Sequence, residues 1–371
     1  MISFLSVFPP YRGGIAKFSD YLYRSLSKKT DVRAYNFRKL YPDLLFPGKS
    51  QTISNQRARY ALPLLHSMNP FNWNISAEKI AERKPEALIY SYWHPFFSPS
   101  LLFTIKKIKK KVPGIQVVGI AHNVIPHEYF PFQSQLSSNL FDETDHVILL
   151  SEQTKSEYKS FKNDNKAVRL FHPVYNQPIP AENKAAMRNR YGLNSDSTIF
   201  LFFGLIRQYK GLDIMIQALN TLDLHRHNIQ PLIVGEFYTD KQKLLSLINP
   251  DHLSKYKIID RFVSEQEAAE LLTLSDAMIL PYRSASQSGV LSNAINFKLP
   301  VIVSDLPGLK EHITPNKNGI VFKQNSVEDL RKAILLMANN NLAAKMSTHM
   351  KELKNRLTWE KFSDEILEII T

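Results

Sequence analysis

The sequence predicts an α/β protein of two doubly wound domains, and three observations carry that expectation. A chain of 371 residues exceeds what one hydrophobic core ordinarily organises, so it divides into two. Short apolar runs alternate with amphipathic stretches through both halves, as parallel strands joined by right-handed helical crossovers do. A proline-bearing segment, residues 172–180, interrupts the alternation and reads as an interdomain linker.

Taken in order, the first half reads as strand 2–8, helix 15–28, strand 32–37, helix 76–84, strand 87–90, helix 99–111, strand 116–121 and strand 147–150, with a helix starting at Ser151. The second half reads as strand 199–203, helix 211–221, strand 231–234, helix 240–247, strand 256–259, helix 265–273, strand 277–280, helix 288–297, strand 301–304 and helix 327–338. The domains are expected at 1–175 and 185–355, with an amphipathic C-terminal helix, 358–371, packing back on the first. Doubly wound sheets bind ligands at the carboxyl ends of their strands, so the loops that follow strands are where chemistry is sought.

Composition excludes several classes. The chain has no cysteine, which removes disulfides, thiolate metal sites and a cysteine nucleophile, and suits a reducing compartment. The N-terminus lacks the basic start and cleavage pattern of a signal peptide, and no apolar run approaches the ~20 residues of a bilayer span. A cytoplasmic protein, soluble or peripheral, is expected. Residues 1–180 hold 24 Lys and Arg against 13 Asp and Glu, while 181–371 hold 23 against 21, so nearly all the net charge of +13 lies in the first half. Such a surface attracts phosphorylated substrates or anionic lipid; nucleic acid is not expected, since no nucleic-acid motif accompanies the charge. The sharpest cluster, Lys106-Lys-Ile-Lys-Lys-Lys111, sits on a predicted helix with Leu101, Ile105 and Ile108 on one face. It reads either as a solvated face or as a membrane-surface contact.

Four loops carry candidate chemistry. Gly13-Gly14 joins the first strand to the first helix, where backbone amides and the helix dipole suit a phosphate; a simple turn needing positive φ is the plainer alternative. The loop is not GxGxxG, which counts against a dehydrogenase. His122 ends the strand 116–121 and can donate a hydrogen bond to a sugar hydroxyl or a charged oxygen, or serve structurally. His122, His127 and Glu128 fit no common zinc spacing. Phe203-Gly-Leu-Ile-Arg207 through Lys210-Gly211 sets a glycine and two cations after a strand. A leaving diphosphate gains charge as its bond to the sugar breaks, so preorganised cations there stabilise the transition state most. In Leu280 to Ser304 a strand runs into a small-residue turn and then a helix opening at Ser288, Gly289 and Val290, where free amides make an anion site.

Together these loops resemble the retaining glycosyltransferases of family 4 over nearly the whole chain. The resemblance implies the GT-B fold, two facing Rossmann-like domains with a central cleft. Gly13-Gly14 is similar to the family's glycine loop, Gly204, Arg207 and Lys210 to its phosphate-binding strand end, and Gly235-Glu236-Phe-Tyr238 to its next strand end. Gln287-Ser288-Gly289-Val290, followed by Lys298-Leu-Pro-Val-Ile302, resembles the helix start that holds the donor diphosphate, and Trp359 opens the closing helix. The resemblance further implies His122 at the donor sugar, Phe262 in the base-binding loop and an N-terminal domain for the acceptor. The nucleotide of a UDP- or GDP-linked sugar would sit in the C-terminal domain, with no metal or other cofactor. Surface polysaccharide synthesis on a glycan or lipid-linked glycan acceptor, at the inner face of the membrane, is the implied setting. One departure stands out: the family's two glutamates, with seven residues between them, fall at Ala285 and Asn293. An amide can still hydrogen-bond a ribose or sugar hydroxyl. A nucleotide-sugar epimerase and a non-catalytic nucleotide-sugar-binding homologue stay open as alternatives.

Overall fold

The computed structural model describes residues 1–41, 51–52, 58–125, 130–162, 164–285, 288–338 and 342–371. They form two compact units, Met1–His172 with Trp359–Thr371, and Pro173–Thr358. The first holds strands β1 (Ile2–Ser6), β2 (Val32–Lys39), β3 (Ala61–His66), β4 (Ala87–Tyr92), β5 (Gln116–Ala121), β6 (His146–Leu149) and β7 (Ala167–Arg169). These pair in parallel in the order β3-β2-β1-β4-β5-β6-β7. Every residue of β1 and β4 is buried, as in a parallel strand covered by helices on both faces.

The second unit holds β8 (Thr198–Phe203), β9 (Ile229–Val234), β10 (Lys257–Ile259), β11 (Ala277–Leu280), β12 (Val301–Ser304) and β13 (Gly319–Phe322). Its parallel order is β10-β9-β8-β11-β12-β13. In each sheet the order reverses beside the unit's first strand. That point lies between β1 and β4 in one and between β8 and β11 in the other, and it is where the loops after neighbouring strands diverge and leave a crevice.

Three kinds of element escaped the sequence pattern. Edge strands β3, β7 and β13 were missed: β3 carries Pro63, tolerated at a sheet edge, and β7 has only three residues. Helices Gln133–Asp142, Lys184–Arg190 and Leu342–Arg356 bury only three, two and three residues, so their apolar stripes are faint. The expected helix 76–84 is in fact Pro70–Ala81. Asn69 caps it, accepting from the Phe71 and Asn72 amides, and Pro70 sits in the first turn where its missing N–H costs nothing.

Segment 172–180 has no regular structure. From Pro173 onward it is tied to the second unit: Val174 N donates to Leu357 O (2.8 Å), Ser292 Oγ to Pro173 O (3.1 Å) and Asn296 Nδ2 to Gln177 O (3.1 Å). The last helix, Trp359–Ile370, belongs to the first unit, where Phe18 meets Trp359 and Phe362 edge-on. Ser25 Oγ donates to Trp359 O (3.0 Å), and Lys29 pairs with Asp364 (2.5 Å). Among the described residues no helix is long and apolar enough to cross a membrane.

Candidate active site

The second unit's crevice is built from the loops after β8 and β11. The run Thr-Ile-Phe-Leu-Phe-Phe makes β8 a central strand, and it ends at Gly204, whose φ is 100°. A Cβ there would stand 3.0 Å from Lys210 Nζ and 3.4 Å from Val290 Cγ2, so this position joins the β8 loop to the start of helix Gly289–Asn296. Beyond the strand, Ile206 N donates to Glu236 O and Tyr238 N to Ile206 O, both 2.9 Å, which carries the β8–β9 ladder past its regular end. The chain then makes one 3-10 turn, Gln208–Lys210, and enters helix Leu212–Asn220 through Gly211 at φ 69°. No side chain fits at Gly211, because its Cβ would lie 2.0 Å from Pro281 O.

Within this frame Lys210 is 7% exposed, with Nζ 5.6 Å from the centre of the Tyr282 ring. It makes no ion pair among the described residues. Burial, with the Arg207 charge adding to it, lowers its ammonium to about 8. Arg207 lies over Tyr238, Cζ 5.3 Å from the ring centre, and likewise pairs with no carboxylate among the described residues.

A third cation, Arg283, braces the turn. Its guanidinium grips Asp213 at 2.8 and 2.6 Å and also donates to Gln208 O at 2.9 Å, while its backbone N donates to Tyr209 O at 2.6 Å. Burial pushes the Asp213 carboxyl up, but the bonds and charge from Arg283 outweigh it and hold the group below its ordinary value.

Helix Gly289–Asn296 presents its first turn to the same place. Ser288 Oγ accepts from Leu291 N (3.2 Å), leaving the Gly289 and Val290 amides ahead of the helical ladder. Asn293 lies on this helix with Oδ1 buried and without a partner among the described residues. Glu236 follows β9, half-buried, and Phe262 follows β10 with 58% of its surface exposed. Gln287 lies outside the described residues, as do His127 and Glu128.

The remaining candidates belong to the first unit. Gly13 (φ 115°) and Gly14 are exposed at the start of helix Gly14–Leu26, after β1, with nothing near their Cβ positions. His122 follows β5 and is buried, its ring edge-on to Phe18 at 4.7 Å. Burial, with His172 adding to it, lowers it to about 3, so the imidazole is neutral at physiological pH.

Residues 183–355 match the family described as Glycosyl transferases group 1. The match spans nearly all of the second unit, which is therefore similar to a group 1 glycosyl transferase domain. Over 364 residues the chain is 23% identical to an uncharacterized glycosyltransferase of Methanocaldococcus jannaschii, spanning 96% of this chain and 93% of that protein. HepE of Anabaena, solved in complex with UDP, superposes with a TM-score of 0.75 at 13% identity, covering 100% of this chain and 99% of HepE. WaaG, a glycosyltransferase involved in lipopolysaccharide biosynthesis, superposes at 0.67 with 17% identity and full coverage of both chains. At these identities the likeness shows the fold, which is GT-B: two Rossmann-like domains of parallel sheet.

Within the second unit, the structure brings Gly204, Lys210 and Val290 together, with Arg207, Ser288 and Gly289 on the same two loops. Sequence reasoning passed over Arg283, Tyr282 and Tyr238. Arg283 stood in the quoted loop, yet its partner Asp213 is 70 residues away. Nothing local marks that pairing.

Proposed function

We propose that the chain is a retaining glycosyltransferase that moves a sugar from a nucleotide-diphosphate sugar to a glycan or lipid-linked glycan. The second unit binds the donor and the first the acceptor. One observation carries the reading: Lys210, buried and without an anionic partner among the described residues, lies beside Gly204 and Val290 at the sheet's reversal point. A buried ammonium is costly unless an anion compensates it, so the arrangement suits a ligand that brings negative charge.

A donor diphosphate meets that demand. Arg207 and Lys210 supply the charge a divalent ion would otherwise bring, and the Gly289 and Val290 amides donate to the oxygens of one phosphate. The sugar C1–O bond to the diphosphate breaks while an acceptor oxygen bonds C1 on the same face, and the acceptor proton passes to the departing phosphate. Asn293, with its orphaned Oδ1, accepts from a ribose or sugar hydroxyl. The UDP held by HepE and the lipopolysaccharide role of WaaG support the donor class and a surface-glycan acceptor. The basic first half suits work at the inner, anionic face of the membrane.

Arg207→Ala and Lys210→Ala are each expected to slow transfer by about a hundredfold or more with the fold intact. Near-normal turnover in both would remove the assigned site. Transfer that persists in EDTA is expected; its loss would contradict a metal-independent mechanism.

A further inference from the structure

The lysine run at 106–111 is largely taken up by ion pairs: Lys106 meets Glu143 (3.6 Å), Lys109 meets Asp145 (3.0 Å) and Lys111 meets Glu78 (2.5 Å). Unused chemistry lies instead in the second unit, at Tyr282. This tyrosine follows β11 and is 3% exposed, and Lys210 Nζ lies over its ring, 5.6 Å from the centre. Its backbone is held from two sides. Ser304 Oγ donates to Tyr282 O at 2.8 Å, and Pro281 O, just before it, stands 2.0 Å from where a Cβ on Gly211 would be. Tyr209 meets the ring edge-on, with 6.1 Å between ring centres. The hydroxyl so positioned is buried and makes no hydrogen bond among the described residues, although the Ser288 side chain lies close enough to ease its ionisation. Burial, with Tyr209 adding to it, outweighs Ser288 and pushes the hydroxyl well above its ordinary value, so it keeps its proton at neutral pH. A buried O–H without an acceptor is destabilising, and such groups are rare.

We propose that Tyr282 is a direct ligand of the donor, its hydroxyl donating a hydrogen bond to a diphosphate oxygen between the Lys210 ammonium and the first turn of helix Gly289–Asn296. This rests on the proposed function for the diphosphate itself. Three contacts fix the place: the ring under Lys210, the approach of the tyrosine side chain to the N-cap Ser288, and the Gly204 position, where a Cβ would meet both Lys210 Nζ and Val290 Cγ2. The ammonium and the free amides there can only donate, so what the hydroxyl lacks is an acceptor. A diphosphate oxygen is an acceptor that all of these donors can share. The ring contributes separately, because its face attracts the buried ammonium before any anion arrives. When the sugar C1–O bond breaks, its electron pair passes to the diphosphate oxygen, and a hydrogen bond donated to the leaving group strengthens toward the transition state.

Tyr282→Phe tests this, because it keeps the ring on Lys210 and removes only the hydroxyl. Both proteins are titrated calorimetrically with UDP and with GDP. Whichever diphosphate the wild type takes, the variant should bind it about tenfold more weakly. The ligand-free melting temperature should stay level or rise, since the lost group was buried and unpaired. Equal diphosphate affinity in wild type and variant would overturn the role of Tyr282 and leave the proposed function standing. Weaker binding together with a lowered ligand-free melting temperature would also overturn it, since the hydroxyl would then act inside the fold, through Ser288. Failure of the wild type to bind either diphosphate would overturn the proposed function and the role of Tyr282 with it.

Discussion

Lys210 is a buried cation with no ion-pair partner among the described residues. Its proton is held less tightly in the folded protein, at about 8, than at a lysine's ordinary 10.5. Because the unfolded chain binds that proton more strongly, folding stability in the absence of ligand should rise with pH between those two values. The same displacement means that the buried charge destabilises the ligand-free protein by a few kcal/mol at neutral pH. Lys210→Met is therefore expected to raise the ligand-free melting temperature, by on the order of 1 to 3 kcal/mol of stability, while abolishing transfer. Calorimetry beside a turnover assay checks this, and a variant that is both less stable and inactive would contradict it. In the wild type, kcat/KM should fall as pH rises through about 8, where Lys210 loses the charge proposed to face the donor diphosphate.

At the scale of elements, the cation-bearing turn owes its shape to contacts with the β11 loop rather than to its own sequence. A single 3-10 turn has weak internal hydrogen bonding, so the Arg283 bonds to Gln208, Tyr209 and Asp213 hold it in place. Arg283→Ala should then lower both kcat and nucleotide affinity by about tenfold or more, although Arg283 is assigned no contact with the donor. Arg283→Lys should restore little, since a lysine cannot span Asp213 with two donors. Unchanged kinetics in Arg283→Ala would mean that the turn is held by the β8–β9 ladder alone. Much of this element-level order was legible in the sequence. Glycines at 204 and 211 after an apolar run, and a serine opening a helix at 288, are local signals of a strand end, a left-handed turn and an N-cap. The brace was not legible, because its two ends are far apart in the chain.

At the scale of the whole molecule, the chain leaves its first unit at His172 and returns to it at Trp359. The returning helix buries Trp359, Phe362 and Ile366 in the first unit. At about 1.5–3 kcal/mol for each such side chain, deleting residues 359–371 should lower the stability of the first unit by more than about 4 kcal/mol. The thermal transition of the second unit should stay in place, a separation that differential scanning calorimetry resolves. The sequence by itself determined two domains of parallel sheet, the strands that lie inside them and the strand-end loops that hold glycines and cations. A strand buried on both faces writes its position as an unbroken apolar run, and a turn with positive φ selects glycine. Only the tertiary structure decided the edge strands β3, β7 and β13, which of the lysines are neutralised and which stand alone, and that Gly204, Lys210 and Val290 meet. Burial and pairing are properties of neighbours in space, and these neighbours come from segments up to 86 positions apart.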